Sequence, residues 1–161
     1  MRCARMRSGE FMRKISMMIG ALALGVAVAA QAATPAQTIE ARQKSLKEIG
    51  KAMKGAGDSF KSGNPDAAVI KASATTIAGY ADKLGTWFPK GTGAEAGVKT
   101  SAKAEIWGDP AGFKKAAMDF SAAAKGFKAA ADTGDLAAAG KAMGALGGTC
   151  KGCHEKFKAK D

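Results

Sequence analysis

Four stretches of the chain carry an apolar residue at every seventh position, and none alternates apolar with polar as a half-buried strand would. The first stretch has Ile39, Leu46, Met53 and Phe60; the second has Ile70, Ile77 and Leu84. The third has Phe113, Phe120 and Phe127; the fourth has Leu136, Met143, Cys150 and Phe157. Residues seven apart lie nearly one above another on a helix, so each stretch presents one apolar stripe. Between the stripes Ala, Lys, Met and Leu dominate, all good helix formers. Four such stripes bury one another most simply as an all-α, antiparallel four-helix bundle.

The punctuation of the chain agrees with four helices. Thr34-Pro35 opens the first. Asn64 followed by Pro65 and Asp66 offers the second a cap, a proline at the first helical position and an acid at the positive end of the helix dipole. Asp109-Pro110 repeats the device for the third, and Asp132-Thr133-Gly134-Asp135 is a tight turn with Asp135 as cap of the fourth. Between helices two and three, the stretch from Gly85 to Trp107 is broken by Pro89, Gly91, Gly93 and Gly97. A loop this long in a small domain is usually functional, which suggests that it packs on a cofactor edge.

The start of the chain reads as a leader. Arg13 and Lys14 precede an uncharged run from Ile19 to Val28, and Ala30-Gln31-Ala32 has the small-x-small form of a signal-peptidase site. The run is too short to span a bilayer, which takes about 20 apolar residues. Residues 1–32 are therefore expected to be a removed signal peptide, with Met12 an alternative start, and residues 33–161 a single exported domain. Removal takes five basic residues and one acid from the totals, leaving 20 basic and 13 acidic residues and a net charge of +7. The lysines are scattered along helical faces without interleaved aromatics, which argues against nucleic acid and for a soluble basic protein steered towards acidic partners.

Cys150-Lys151-Gly152-Cys153-His154 carries the chemistry. Two thiols one helical turn apart can reach the two vinyl groups on one edge of a porphyrin, and the adjacent imidazole then swings beneath the iron. A thioredoxin-like redox pair would need a βαβ context, and a zinc site would need four ligands where the mature chain offers two Cys and one His. The motif therefore implies one covalent haem c, attached through Cys150 and Cys153, with His154 as axial ligand. Because His154 is the only histidine, a second imidazole from this chain is excluded. Met53, Met118 and Met143 remain as soft donors, although Met143 lies on the same helix as the motif, two turns before Cys150.

These residues resemble the cytochrome c′ family, the class II c-type cytochromes. The likeness covers essentially the whole mature chain. It rests on the haem motif near the C-terminus, Arg42-Gln43 early on the first helix, Glu105-Ile106-Trp107 and Phe113 around the start of the third, and Asp132-Thr133-Gly134-Asp135-Leu136 before the fourth. The resemblance implies that the residue four after Arg42 faces the iron opposite His154. Low-spin relatives have methionine there; this chain has Leu46, which has no lone pair to donate. It further implies that Arg42 and Gln43 lie at the haem edge with Arg42 near a propionate, that Phe113 and Phe120 wall the pocket, and that Lys158 sits over the imidazole.

The function expected from this is a periplasmic haem protein, not an enzyme, with five-coordinate iron that binds NO or CO and carries single electrons. The alternative is a six-coordinate His/Met electron carrier. A periplasmic redox partner protein is implied, with no nucleic acid and no membrane once the leader is gone. Homodimers are common in the resembling family; the Ala- and Lys-rich outer faces here neither demand nor forbid one.

Overall fold

A computed structural model describes residues 32–160. The leader expected over residues 1–32 and the alternative start at Met12 lie, Ala32 apart, outside the described residues. Five α-helices follow in chain order: α1 (Pro35–Lys61), α2 (Ala67–Ala81), the single turn α3 (Glu105–Gly108), α4 (Pro110–Thr133) and α5 (Leu136–Phe157). The four long ones form an all-α four-helix bundle, and tight turns at residues 62–66 and 134–135 make successive partners antiparallel. No described helix is long and apolar enough to cross a membrane.

Local chemistry sets the boundaries. Thr34 and Gln37 form a reciprocal capping box at the start of α1, with Pro35 in the first turn. Asp109 accepts from the Gly112 N–H and caps α4 ahead of Pro110, and Asp135 accepts from the Ala138 N–H and caps α5. One expectation needs correcting. The cap of α2 is Asp66, whose carboxylate accepts from the N–H groups of Ala68 and Val69, while Asn64 stays in the preceding turn. A carboxylate next to the helix satisfies two orphan donors, so the helix starts after Asp66 rather than at Pro65.

The core follows the second and third stripes closely and the first and fourth only in part. Phe113, Phe120 and Phe127 are all buried on α4, with Ala117, Ala124 and Ala131 filling the spaces between them. On α2 Ile70 and Ile77 are buried, and Leu84 is buried just past the helix in a 3-10 turn (Leu84–Trp87). On α1, however, the buried row is Ile39, Arg42, Ile49 and Ala56, and on α5 it is Ala139, Leu146 and Phe157. The residues of the first and fourth stripes that slip out of the closed core include Leu46, Met53 and Cys150, and all three line a cavity instead. At the other end α1 and α5 touch. There Gly57 faces Met143 and Gly140 faces the Phe60 ring, at distances where a side chain in place of either glycine would be in contact.

Candidate functional site

A cavity of about 700 Å³ lies between α1, α4, α5 and the crossover. It is of the size usual for small-molecule and cofactor sites, roughly 300–1,000 Å³. All nine residues singled out in the sequence line it: Arg42, Gln43 and Leu46 from α1, Phe113 and Phe120 from α4, and Cys150, Cys153, His154 and Lys158 from α5 and its exit. Ile49, Met53, Phe88, Ile106 and Phe157 complete a largely apolar wall.

Cys150 and Cys153 are free thiols, both half-buried at the cavity surface. Burial pushes both thiols up; the neighbouring Cys150 adds to the shift of Cys153, and a hydrogen bond with Thr149 offsets part of that of Cys150. Neutral thiols on an apolar wall suit addition across vinyl groups better than they suit a thiolate redox pair. His154 follows at the rim, exposed on its outer side. Desolvation and then the charge of Lys158 lower its pKa, which favours the neutral imidazole that binds metals. Among the described residues no three His, Cys, Asp or Glu side chains gather to hold a bare metal ion. Two thiols, one neutral imidazole and a deep apolar cavity therefore fit a covalently attached metalloporphyrin.

Arg42 does more than sequence alone indicates. A charged side chain on a helix is ordinarily solvated, yet this one is only 2 % exposed. Its Nη1 donates to the Thr92 hydroxyl at 2.9 Å, and its Nη2 to the Thr92 carbonyl at 2.7 Å and the Thr100 hydroxyl at 2.8 Å. The guanidinium also lies over the Phe88 ring, 4.6 Å from its centroid. Burial works against its charge and the nearby Glu95 favours it. Gln43 adds a bond from its Nε2 to the Lys99 carbonyl at 2.9 Å. The Arg-Gln pair thus clamps both limbs of the crossover onto α1. A guanidinium has five N–H groups, and the three bonds to Thr92 and Thr100 leave the others for an anionic group at the cavity edge.

The crossover is secured twice more. The Trp107 Nε1–H donates to the carbonyls of Phe88 and Pro89, each at 3.1 Å. Beyond α5, the Lys103 N–H donates to the Phe157 carbonyl at 3.1 Å and the Ala159 N–H to the Ser101 carbonyl at 2.8 Å. These bonds hold Lys158 beside the cavity. Phe88, Phe113 and Phe157 stack edge to face along one wall, with centroids 5.0 and 5.3 Å apart. Phe88, Thr92 and Thr100 were not singled out in the sequence. They sit in or next to an irregular loop, where no periodicity marks them; only the unusual length of the loop pointed there.

Arg42→Met is expected to lower the unfolding free energy of the holoprotein by roughly 3 kcal/mol, since it strands buried partners of a charged donor. Urea denaturation measures it. Unchanged stability would show that the clamp contributes nothing.

A helical bundle whose last helix ends in Cys-x-x-Cys-His beside an apolar cavity defines a c-type haem protein of the four-helix class. Comparison with known proteins narrows this. A family model described as Cytochrome C′ matches residues 37–158. Cytochrome c′ of Rhodospirillum rubrum is 41 % identical over 152 residues, covering 92 % of this chain and 99 % of that protein. The crystal structure of cytochrome c′ from Rubrivivax gelatinosus superposes with a TM-score of 0.73 at 37 % identity, covering 80 % of this chain and 99 % of that one. A ferrous variant of cytochrome c′ from Alcaligenes xylosoxidans with bound NO gives 0.71 at 31 %, covering 81 % and 100 %. The chain belongs to the cytochrome c′ family and is a haem c protein; the family is a standard example of the up-down-up-down bundle.

Proposed function

We propose that this chain is an exported, periplasmic haem protein whose iron is ligated by His154 on one face and left open on the other, and that it binds NO and CO rather than acting as an enzyme. The observation that carries this reading is Leu46, which lines the cavity with the thiols and His154 although it stands on a different helix. The bound haem supplies an iron that takes up a diatomic ligand and exchanges single electrons. The protein supplies the rest. Cys150 and Cys153 fix the ring, and His154 is held at the rim under the charge of Lys158. The two N–H groups of Arg42 that Thr92 and Thr100 leave unused would be available to a propionate. Leu46, Ile49, Phe113 and Phe120 give the open face an apolar lining that excludes water and offers no hydrogen bond to steady O₂. A relative captured with NO supports the choice of ligand.

A second reading, six-coordinate His/Met iron, is favoured by one observation: Met53 also lines the cavity. Met118 is 61 % exposed on α4, and Met143 packs against Gly57, so neither competes. Met53 stands seven residues after Leu46 on α1, about 10 Å further along at 1.5 Å per residue. A sulfur that far along α1 would not share the position of Leu46, which ranks the open site first. Titration of the ferrous holoprotein with CO distinguishes the two. The open site predicts a broad high-spin Soret band that shifts with each addition. A sharp low-spin α-band that CO does not alter would favour Met53.

A further inference from the structure

We propose that diatomic gases reach the face of the haem opposite His154 through a second cavity, between α2, α4 and the crossover, with the Phe88 side chain as the gate between the two. This rests on the five-coordinate reading above. His154 is exposed, whereas Leu46, Ile106, Phe113 and Phe120 line the cavity from within, so on that reading the open face would look inward. A ligand bound for that face must cross protein.

The second cavity holds about 800 Å³ and opens on the surface beside Met118. It shares three lining residues with the haem cavity: Phe88, Ile106 and Phe113. The separation is therefore one layer of side chains. Small residues line the approach to that layer, among them Ala81, Gly85 and Ala117, and Gly85 lies close enough to α4 that a Cβ there would meet that of Ala117 at 3.6 Å. The lining also carries the charged Asp82, Lys90, Lys114 and Lys125, and NO and CO, being nearly apolar, lose little by leaving water for its apolar part.

The three wall residues are not equally fixed. Phe113 is buried within α4 and wedged against Phe157, and Ile106 is 4 % exposed on α3. Phe88 is half-buried in a loop, one residue past the 3-10 turn. It is held from its sides by the Arg42 guanidinium and the edge of Phe113, with its backbone carbonyl pinned by Trp107. A change of its rotamer would join the cavities without moving a helix. Arg42 lies against the same ring, so the clamp that orders the crossover also sets how often the gate opens.

Flash photolysis of the CO-bound holoprotein tests this. Phe88→Ala is expected to raise the bimolecular CO association rate by roughly ten-fold, one decade of a barrier removed. Met118→Trp, a substitution at an exposed position that should leave the fold intact, fills the outer opening and is expected to lower the rate several-fold. The equilibrium spectrum of the CO form should stay the same in Met118→Trp, whose side chain lies outside the haem cavity. A separate readout needs no ligand at iron: holoprotein crystals under xenon pressure should show xenon beside Gly85 and Ala117. Rates indistinguishable from wild type in both variants, or no xenon there, would overturn the path while leaving the open iron site standing. Wild-type protein that takes up no CO would overturn the five-coordinate reading and the path with it.

Discussion

Leu46→Met is expected to give a low-spin, six-coordinate haem whose affinity for CO falls by roughly a hundred-fold or more, because a tethered sulfur competes at high effective concentration. Leu46 lines the cavity one helical turn after the Arg42 clamp and is 36 % exposed. Methionine has nearly the same volume, so the fold should lose less than about 1.5 kcal/mol. The substitution therefore changes the donor set without changing the architecture. Optical spectra of the ferric and ferrous variant, with and without CO, check it. An unchanged spin state would mean that another residue of α1 faces the iron, and Met53 would be the next position to examine.

The second large effect concerns the haem itself. Cys150→Ala with Cys153→Ala removes both attachment points, and the haem-free protein is expected to lose most of its cooperative stability. Leu46, Ile49, Phe113, Phe120 and Phe157 then face one another across a wide cavity rather than a packed core. Burying a few hundred Å² of apolar surface at roughly 25 cal/mol per Å² contributes on the order of 5–10 kcal/mol, comparable with the whole stability of a domain this size. The contacts that remain are those that need no haem: α1 against α5 at Gly57 and Gly140, and Phe127 in the closed core. Helix should persist while the thermal transition broadens and moves down by tens of degrees, as circular dichroism would record. Equal melting temperatures of haem-free and haem-loaded protein would contradict this account.

Much of this architecture is legible in the sequence because local rules wrote it. The phenylalanines of α4 recur every seven residues and are all buried, and Asp109-Pro110 and Asp135 cap where their chemistry says they should. The α2 boundary was misplaced because two capping residues compete within three positions, and only the real backbone shows that the Asp66 carboxylate reaches two N–H groups. The site divides in the same way. The thiols and imidazole are contiguous, so they announce themselves. Leu46 was reachable only through the family likeness, since a leucine on an apolar stripe looks like core. The burial of Arg42 was not legible. It depends on Thr92 and Thr100, 50 and 58 residues away, and a guanidinium on a helix carries no mark of being enclosed. Phe88 is hidden for a related reason: a residue between a 3-10 turn and a proline has no period to read.

The central claim is that His154 holds the iron alone, with Leu46 keeping the opposite face open but apolar. Resonance Raman spectra of the ferric and ferrous holoprotein address it most directly, because the porphyrin core-size bands report spin and coordination number together. Five-coordinate, high-spin bands in the ferrous state, moving to those of a six-coordinate adduct when CO is added, are the predicted result. Six-coordinate, low-spin bands in the absence of any added ligand would contradict it.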